Sequence, residues 1–322
     1  MWYERVFELK KRKGNLYSSS ARRINVGRLW ADRQLYILLI PFLLYYILFV
    51  FRPMGGMVIA FKDYSVYKGI LGSEWVGLKH FKDFFTSEYF GRTFKNTLLI
   101  SFYQLLIGFP APIIFALMLN EVGFKRFKST VQTMSYLPYF ISTVVIAGMI
   151  TLFLAPTNGV VNILIDKLGG EKIYFLTKPE WFRTIYITQG IWTGLGYNSI
   201  VYIAALSGID QELYEACKID GGGRICQTWH ITLPGLLPTI VTLFIIQIGN
   251  ILNVGYEMII LLYQPATYET ADTISTYVYR MGIEQANYSL STAVSFFNSV
   301  VGFALVALAN KISNKVNDMG LW

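Results

Sequence analysis

Six long, mostly apolar runs alternate with polar segments along the chain. A helix needs about 20 residues to cross roughly 30 Å of hydrocarbon, and each run has that length or nearly so. The runs are continuous rather than alternating, which favours helices over the strands of a membrane barrel. We therefore predict an all-α membrane protein with six transmembrane helices, at Gln34–Phe51, Asn96–Asn120, Val131–Leu154, Thr184–Leu206, Leu236–Leu262 and Ser289–Asn310.

The composition agrees with this prediction and excludes several other classes of protein. Apolar residues make up 54% of the 322 residues and charged residues 15%, whereas soluble domains average about a quarter charged residues. Two cysteines cannot by themselves build a disulfide framework or a four-ligand metal site. The two histidines are too few for most zinc and acid–base sites, and we see no nucleophile–base pattern of an enzyme.

The basic residues predict the orientation. Residues 1–33 contain nine Lys and Arg against three acidic residues, a net charge of +6 within a total of +8. Cytoplasmic segments carry the excess of basic residues, and an even number of spans puts both termini on one side. We expect both termini in the cytoplasm, residues 1–33 as a basic tail and residues 34–322 as one transmembrane domain. We also expect the first run to be retained, because no cleavage motif follows it.

The segment 207–235, between the fourth and fifth runs, has its own pattern. Asp210 is a helix-capping residue at the start of a short helix, and the glycines at 221–223 break that helix. A second helical turn follows, and Pro234 marks the entry to the next span. We predict a helix–turn–helix elbow on the cytoplasmic side. Its apolar residues, which are suited to a protein partner, are Leu213, Tyr214, Ile225 and Trp229.

This segment resembles the EAA loop of permease subunits in bacterial binding-protein-dependent ABC importers. The family pattern is Glu-Ala-Ala, three residues, Gly, nine residues and Ile-x-Leu-Pro. The matching residues are Glu215, Ala216, Cys217, Gly221, Ile231, Leu233 and Pro234, with Asp220 and Pro238 in the extended form. Two positions depart from the pattern, because Cys217 replaces the second alanine and Gly222 stands where alanine often follows the glycine. Both are small, so we expect tight packing to persist.

The resemblance continues outside the loop. Phe94, Asn96 and Thr97 are similar to the Phe-x-Asn-Thr motif at the start of the family's second span. The stretches 277–282 and 291–295 are similar to carbohydrate-uptake permeases of the complex-oligosaccharide branch. The resemblance implies an ABC type I importer permease in the bacterial cell membrane. Its expected substrate is a sugar or oligosaccharide, with acidic, uronate-containing fragments among the candidates.

The resemblance also implies partners. These are a second permease that forms a heterodimer with this chain, two cytoplasmic ATPases and an extracytoplasmic solute-binding protein. The chain has no Gly-x-x-x-x-Gly-Lys-Ser/Thr loop, so we expect ATP and magnesium on the partner ATPase and no cofactor on this chain. In the family, Glu215 would contact the ATPase, Gly221 would form the bend, and Pro234 would stiffen the return into the membrane. The loop 215–234 would thus couple ATP hydrolysis to transport.

One carboxylate lies inside a predicted span. Glu257 is the only charged residue in the six runs, and a carboxylate in hydrocarbon needs a polar cavity or a partner. Asn250, Asn253 and Glu257 stand at positions i, i+3 and i+7, which puts all three on one helical face. Such a stripe suits either a path for hydroxyl-rich sugars or hydrogen bonds that join helices. Weaker path candidates, expected mainly to pack helices, are Gln104, Gln189, Trp192 and Asn298.

A second function remains open from the residues alone. Glu257 could be the coupling carboxylate of an ion- or proton-coupled secondary transporter. The six runs contain no Lys, Arg or His that would complete a proton relay, however. The pattern therefore favours the ATP-driven importer.

Overall fold

The structure is a computed structural model that describes residues 33–317 and Gly320. The predicted basic tail at 1–33 lies outside the described residues, apart from Arg33. The chain divides into two compact units, one that ends at Gly56 and one that runs from Met57 to Trp322. The first unit is described from Arg33 onward as part of a long helix.

Helices make up most of the described chain. One small antiparallel hairpin accompanies them, in which β1 (Lys62–Asp63) pairs with β2 (Glu74–Trp75). The helices are α1 (Arg33–Phe61), α2 (Gly69–Gly72), α3 (Lys79–Thr86), α4 (Glu88–Glu121), α5 (Lys125–Phe140), α6 (Thr143–Phe153), α7 (Val160–Lys167), α8 (Pro179–Ser207), α9 (Gln211–Ile219), α10 (Arg224–Gly249), α11 (Tyr256–Leu262), α12 (Tyr268–Ala271), α13 (Ile274–Tyr279) and α14 (Tyr288–Asn317).

Prolines widen three of the long helices. A π-helical turn occurs at Tyr46–Phe51 in α1, at Gln104–Gly108 in α4 and at Thr228–Thr232 in α10, and each ends two residues before a proline. Proline has no N–H for the carbonyl four residues earlier, so the preceding turn adopts the wider pattern. The helices continue through these positions instead of ending there.

Among the described residues, four helices are long and apolar enough to cross a membrane, namely Arg33–Phe61, Glu88–Glu121, Arg224–Gly249 and Tyr288–Lys315. The count becomes five if α5 and α6 form one broken span. The predicted spans Gln34–Phe51, Asn96–Asn120 and Ser289–Asn310 lie within these candidates. Of the other three predicted spans, two are interrupted in the structure, and the third is helical throughout but is not among the apolar candidates.

The predicted span Val131–Leu154 is broken. α5 and α6 meet at an angle of 100°. Pro138 lies in the last turn of α5, and Ser142 begins α6 because its side chain accepts a hydrogen bond from the Val145 N–H at 3.4 Å. A proline followed by a new N-cap ends one helix and starts another in a different direction.

The predicted span Leu236–Leu262 is also interrupted, because α10 ends at Gly249 and α11 begins at Tyr256. The Asn250 side chain donates to the Ile246 carbonyl at 3.2 Å, a local bond that competes with the helix. Other helices satisfy carbonyls of the interruption: Ser101 of α4 donates to Ile251, and Asn298 of α14 donates to Leu252. The break is therefore a stable part of the fold.

The predicted span Thr184–Leu206 is helical but more polar than the candidates. It lies within α8, a helix of 29 residues, which is not among the four apolar spans. α8 contributes Phe182 and Tyr186 to one buried cluster, with α6 and α11, and Tyr202 to another, with α4 and α10. Its Gly196 lies so close to α5 that a Cβ would overlap the Ser135 carbonyl. α8 is thus a central packing element of the second unit.

Candidate functional site

The first candidate site is the elbow formed by α9 and the start of α10. α9 begins at an N-cap, because Asp210 Oδ1 accepts a hydrogen bond from the Glu212 N–H at 3.0 Å. It ends in a turn in which the Gly221 N–H donates to the Lys218 carbonyl and the Gly222 N–H to the Cys217 carbonyl, at 3.1 and 2.8 Å. These two bonds define a Schellman motif, which requires a left-handed residue after the helix. Gly221 supplies it, with φ = +80°.

Glycine is needed at position 222 because a side chain would not fit there, and not because of its backbone angle. A Cβ at this position would overlap Cys217 Sγ and come within 2.8 Å of the Cys217 carbonyl oxygen. The two departures from the family's loop pattern therefore meet in space. The larger side chain at 217 fills the volume that a methyl group at 222 would need.

The elbow carries an exposed apolar surface. The side chains concerned are between 53 and 86% exposed, and we call them the elbow surface: Leu213, Ile219, Ile225 and Trp229. Glu215, Ala216 and Asp220 of the predicted coupling loop are exposed as well. Apolar side chains held on a defined helical turn are typical of a docking surface for another protein.

The inner side of the elbow is attached to the rest of the fold. The Tyr214 hydroxyl lies 3.0 Å from Thr232 Oγ1, which joins α9 to α10. Ile209 packs against Gly235, where a Cβ would come within 2.7 Å of Ile209 Cδ1. The first arm of the elbow is therefore held against α10 by both polar and apolar contacts.

The remaining predicted coupling residues lie where the π turn of α10 passes into its α-helical part. Ile231 and Leu233 are half-buried, and Pro234 is exposed. Pro234 occupies one of the first two positions of the α-helical segment Leu233–Gly249. Because α10 runs from Arg224 to Gly249, the second arm of the elbow and the candidate span are one element.

The second candidate site is a cavity of about 760 Å³ beside α8. It is bordered by α4, α5, α6, α8, α10 and α11. The rings of Tyr139 and Tyr197, which both line it, stack with their centroids 3.7 Å apart. The lining residues with an amide or carboxyl group, which can bond a hydroxyl group, are Gln104, Gln189, Asn198, Gln247 and Glu257.

A smaller cavity of about 350 Å³ adjoins the first. Asn250 and Asn253 line it, on the non-helical stretch between α10 and α11. The two cavities share wall residues, namely Gln104, Tyr186, Gln247 and Gly255. They therefore lie side by side across the interruption that follows α10.

The predicted stripe of Asn250, Asn253 and Glu257 does not share a helix face, because no continuous helix connects the three residues. Glu257 instead lies in the first turn of α11 and lines the larger cavity. The two asparagines line the smaller one. The break redistributes the three polar groups over two neighbouring cavities.

Gln104 and Gln189, which we expected mainly to pack helices, both line the larger cavity. Asn198 also lines it, a residue that the sequence does not predict to be part of a site. The sequence does contain a pattern that indicates this wall of the cavity, since Gln189, Thr193 and Tyr197 follow one another at intervals of four along α8 and all line the cavity.

Within the described residues, no group of three or more His, Cys, Asp or Glu side chains could hold a metal ion.

The sequence also did not reveal a buried ionic cluster around Asp272. Its carboxylate receives two hydrogen bonds from Arg280, at 3.1 and 3.0 Å, and one from Arg92 at 2.8 Å. Asn96 donates to the Asp272 carbonyl at 3.0 Å and accepts from Arg183 Nη2 at 2.8 Å. The cluster joins the starts of α4 and α8 to the stretch before α13, and it gives Asn96 of the Phe-x-Asn-Thr motif a structural role.

Burial alone would lower the pKa of the Arg280 guanidinium in this cluster. The hydrogen bonds and the charge of Asp272, helped by Tyr263, outweigh burial, so that the pKa of Arg280 is raised. The Arg280 guanidinium therefore remains charged throughout the physiological pH range.

Several known proteins are similar in sequence to this chain over most of its length. The profile of the family described as "Binding-protein-dependent transport system inner membrane component" matches residues 108–318. The polygalacturonan/rhamnogalacturonan transport system permease protein YteP of Bacillus subtilis (strain 168) is 44% identical over 307 residues, which cover 95% of this chain and 96% of that protein. Protein LplB of the same organism is 45% identical over 313 residues, covering 97% of this chain and 98% of its own.

Two solved structures are similar as well. A chain in the crystal structure of a bacterial alginate ABC transporter, in complex with an alginate pentasaccharide-bound periplasmic protein, has a TM-score of 0.85 and 46% identity, and the match covers 92% of this chain and 99% of that one. A chain of a bacterial ABC transporter involved in the import of the acidic polysaccharide alginate gives 0.84 and 46%, with 90% and 98% covered.

Proposed function

Because the chain belongs to the family of inner membrane components of binding-protein-dependent transport systems, we propose that it is one of two permease subunits of an importer for acidic oligosaccharides. Membership makes the chain a permease of a sugar ABC importer. It does not favour the ion- or proton-coupled alternative. The permease is a non-catalytic subunit, and ATP with magnesium would be bound by separate ATPase chains.

The elbow is the observation that carries this proposal. A permease without its own ATPase needs a rigid contact through which another protein can move its spans. The elbow surface offers exposed apolar side chains on a helix–turn–helix whose second arm is itself the start of the span α10. In the proposed mechanism, the elbow surface and Glu215 bind in a groove of the ATPase. Closure of the ATPase pair then tilts α10.

We also propose that the chain crosses the membrane six times, with both termini and the elbow in the cytoplasm. α8 is about 43 Å long at 1.5 Å per residue, enough to cross the bilayer. Polar side chains of α8 line the larger cavity. A transmembrane helix can carry polar residues on a face that lines a cavity, so the lower hydropathy of α8 is compatible with a span. α5 and α6 would together supply the third span.

The translocation path would run along the two cavities, with Asn250, Asn253 and Glu257 in contact with passing substrate. The second permease, a different chain, would cover the cavities from the other side. Amide, hydroxyl and carboxylate groups can each hold sugar hydroxyls. Within the described residues no Lys, Arg or His lines either cavity, so a uronate would meet amide and hydroxyl groups and the Glu257 carboxyl group, and no cation would trap it.

The acidic substrate class follows from the relatives. One is a permease of a polygalacturonan/rhamnogalacturonan system and another belongs to an alginate importer, and galacturonan and alginate are both chains of uronates. A solute-binding protein outside the membrane would select such fragments and deliver them. The permease would then need only to pass a hydroxyl-rich chain.

The decisive experiment is uptake by the reconstituted complex of both permeases, the ATPases and the binding protein in lipid vesicles. We expect ATP-dependent uptake of an oligogalacturonate and no uptake of a neutral maltooligosaccharide of equal length. Equal uptake of both would contradict the acidic substrate. Uptake that survives ATP depletion and collapses with the proton gradient would contradict the importer.

A further inference from the structure

We infer that Cys217 and Cys226 form a reversible oxidation site within the elbow, a thiol pair that closes to a disulfide on reaction with a hydroperoxide. They are the only two cysteines of the chain. The structure brings their Sγ atoms to 3.9 Å from opposite sides of the glycine turn, and both side chains are half-buried. Sulfur atoms already in van der Waals contact need a movement of only about 2 Å to reach the S–S bond length of roughly 2.05 Å.

The two thiols have different surroundings, which assigns the order of reaction. Cys226 Sγ lies 3.6 Å from His230 Nδ1, and the same nitrogen lies 3.0 Å from the Cys226 carbonyl oxygen. The carbonyl can only accept, so Nδ1 carries a hydrogen that it also directs toward the sulfur. A hydrogen-bond donor beside a sulfur stabilises the negative charge that the sulfur carries when it attacks an oxidant. Cys226 is therefore the thiol that reacts first.

Cys217 is suited to the second step. Burial, followed by the contact with Cys226 and the charge of Asp220, raises the pKa of the Cys217 thiol. A thiol kept protonated is a poor first nucleophile toward peroxide. It is nevertheless adjacent to the sulfur that oxidises, which is what a resolving cysteine requires.

The reaction balances with hydrogen peroxide as the oxidant. The Cys226 thiolate attacks one peroxide oxygen, the O–O bond breaks, and Cys226 sulfenic acid forms while the leaving hydroxide takes a proton to give water. Cys217 sulfur then attacks the sulfenic sulfur, the S–S bond forms, and the hydroxyl group leaves with the Cys217 proton as a second water. Two thiols lose two electrons and one peroxide is reduced to two waters. A dithiol reductant reverses the change by exchange.

The disulfide would alter the elbow itself. Ile219 and Ile225 of the elbow surface lie on the two sides of the turn that the new bond closes. Drawing the sulfurs together shifts these side chains relative to one another and removes the freedom of the glycines between them. We expect the oxidised elbow to fit its ATPase groove poorly, so that oxidation uncouples transport. This consequence rests on the proposed function, whereas formation of the disulfide does not.

The test uses the complete complex in lipid nanodiscs, treated with hydrogen peroxide. Peptide mass spectrometry should detect a Cys217–Cys226 cross-link, two hydrogens lighter than the paired thiols. ATPase stimulation by substrate-loaded binding protein should fall at least fivefold and return with dithiothreitol. Cys217→Ala, which restores the family residue, and Cys226→Ser should keep their stimulation after peroxide, which controls for cysteines on partner chains. His230→Ala should slow cross-linking several-fold.

Each outcome decides a separate point. If no cross-link forms under conditions that oxidise a model cysteine peptide, the oxidation site is wrong. If the cross-link forms and stimulation is unchanged, while Gly221→Val abolishes stimulation, the uncoupling is wrong and the elbow still couples. If the cross-link forms and neither change affects stimulation, the oxidation site stands and the coupling role of the elbow is wrong.

Discussion

Arg280 holds Asp272 in a two-pronged ion pair, with Nη1 to Oδ1 at 3.1 Å and Nη2 to Oδ2 at 3.0 Å. The carboxylate has no exposed surface, and Arg92 adds a further bond at 2.8 Å. The one carboxylate thus serves as the anionic partner of two guanidinium groups. Removing it would leave two partly buried cations without their anionic partner.

We therefore expect Asp272→Ala to destabilise the permease by about 3 kcal/mol, at the lower end for a buried pair because both arginines are partly exposed. The measurement is thermal unfolding of the complex in detergent. Asp166→Ala is the matched control, since the Asp166–Lys172 pair is exposed with a separation of 3.8 Å and should change the unfolding temperature little. Equal effects of the two changes would show that the cluster does not stabilise the fold.

The turn of the elbow offers a matched pair of glycines. Gly221 has φ = +80°, whereas Gly223 has φ = −76° and open space around its Cβ direction. Valine at 221 is strained by roughly 1–3 kcal/mol, and valine at 223 is not. We expect Gly221→Val to abolish ATPase stimulation by loaded binding protein while insertion persists, and Gly223→Val to retain most of it. Loss of stimulation in both variants alike would mean that backbone strain is not the cause.

Cys217 and Gly222 should show compensation. Gly222→Ala alone creates an overlap with Cys217 Sγ and should reduce stimulated ATPase activity severalfold. Adding Cys217→Ala removes the sulfur and should restore part of the activity. The restoration is incomplete because the Cys217 carbonyl would still lie 2.8 Å from the new Cβ. A double-mutant cycle on this activity measures the coupling, and strictly additive effects would refute it.

The sequence predicted best what local chemistry determines. Asp210 as a cap and the glycine turn act on neighbouring residues, so short patterns indicated a helix, a turn and a helix. The interruption after Gly249 could not be predicted, because Ser101 and Asn298, on two distant helices, stabilise it. Asp272 and Arg92 are likewise 180 positions apart. Hydropathy also could not reveal the 100° bend between α5 and α6, because a proline inside a continuing helix and a proline that ends a helix contribute equally to the mean hydropathy.

The cavity assignment predicts which positions meet water. In a background without Cys217 and Cys226, cysteine at Asn250, Asn253 or Glu257 should react with a hydrophilic thiol reagent, and transported oligosaccharide should slow the reaction. Ile259 is the control, because it lies two residues beyond Glu257 on α11 with no exposed surface, and cysteine there should remain unlabelled. Labelling at Ile259 with none at the other three would contradict the proposed path.

Glu257 distinguishes the two sources of energy considered for this transporter. Within the described residues it is the only carboxylate that lines either cavity, so a proton-coupled mechanism would depend on its titration. In an ATP-driven permease it only offers hydrogen bonds, which glutamine also makes. We expect Glu257→Gln to keep at least about half of the uptake, since one hydrogen bond contributes only about 1 kcal/mol, and to leave its ATP dependence intact. The check is oligosaccharide uptake in vesicles with and without a protonophore. Complete loss of uptake in Glu257→Gln, with the protein folded and ATPase stimulation unchanged, would mean that the carboxylate's charge is essential and that the passive role assigned to it is wrong.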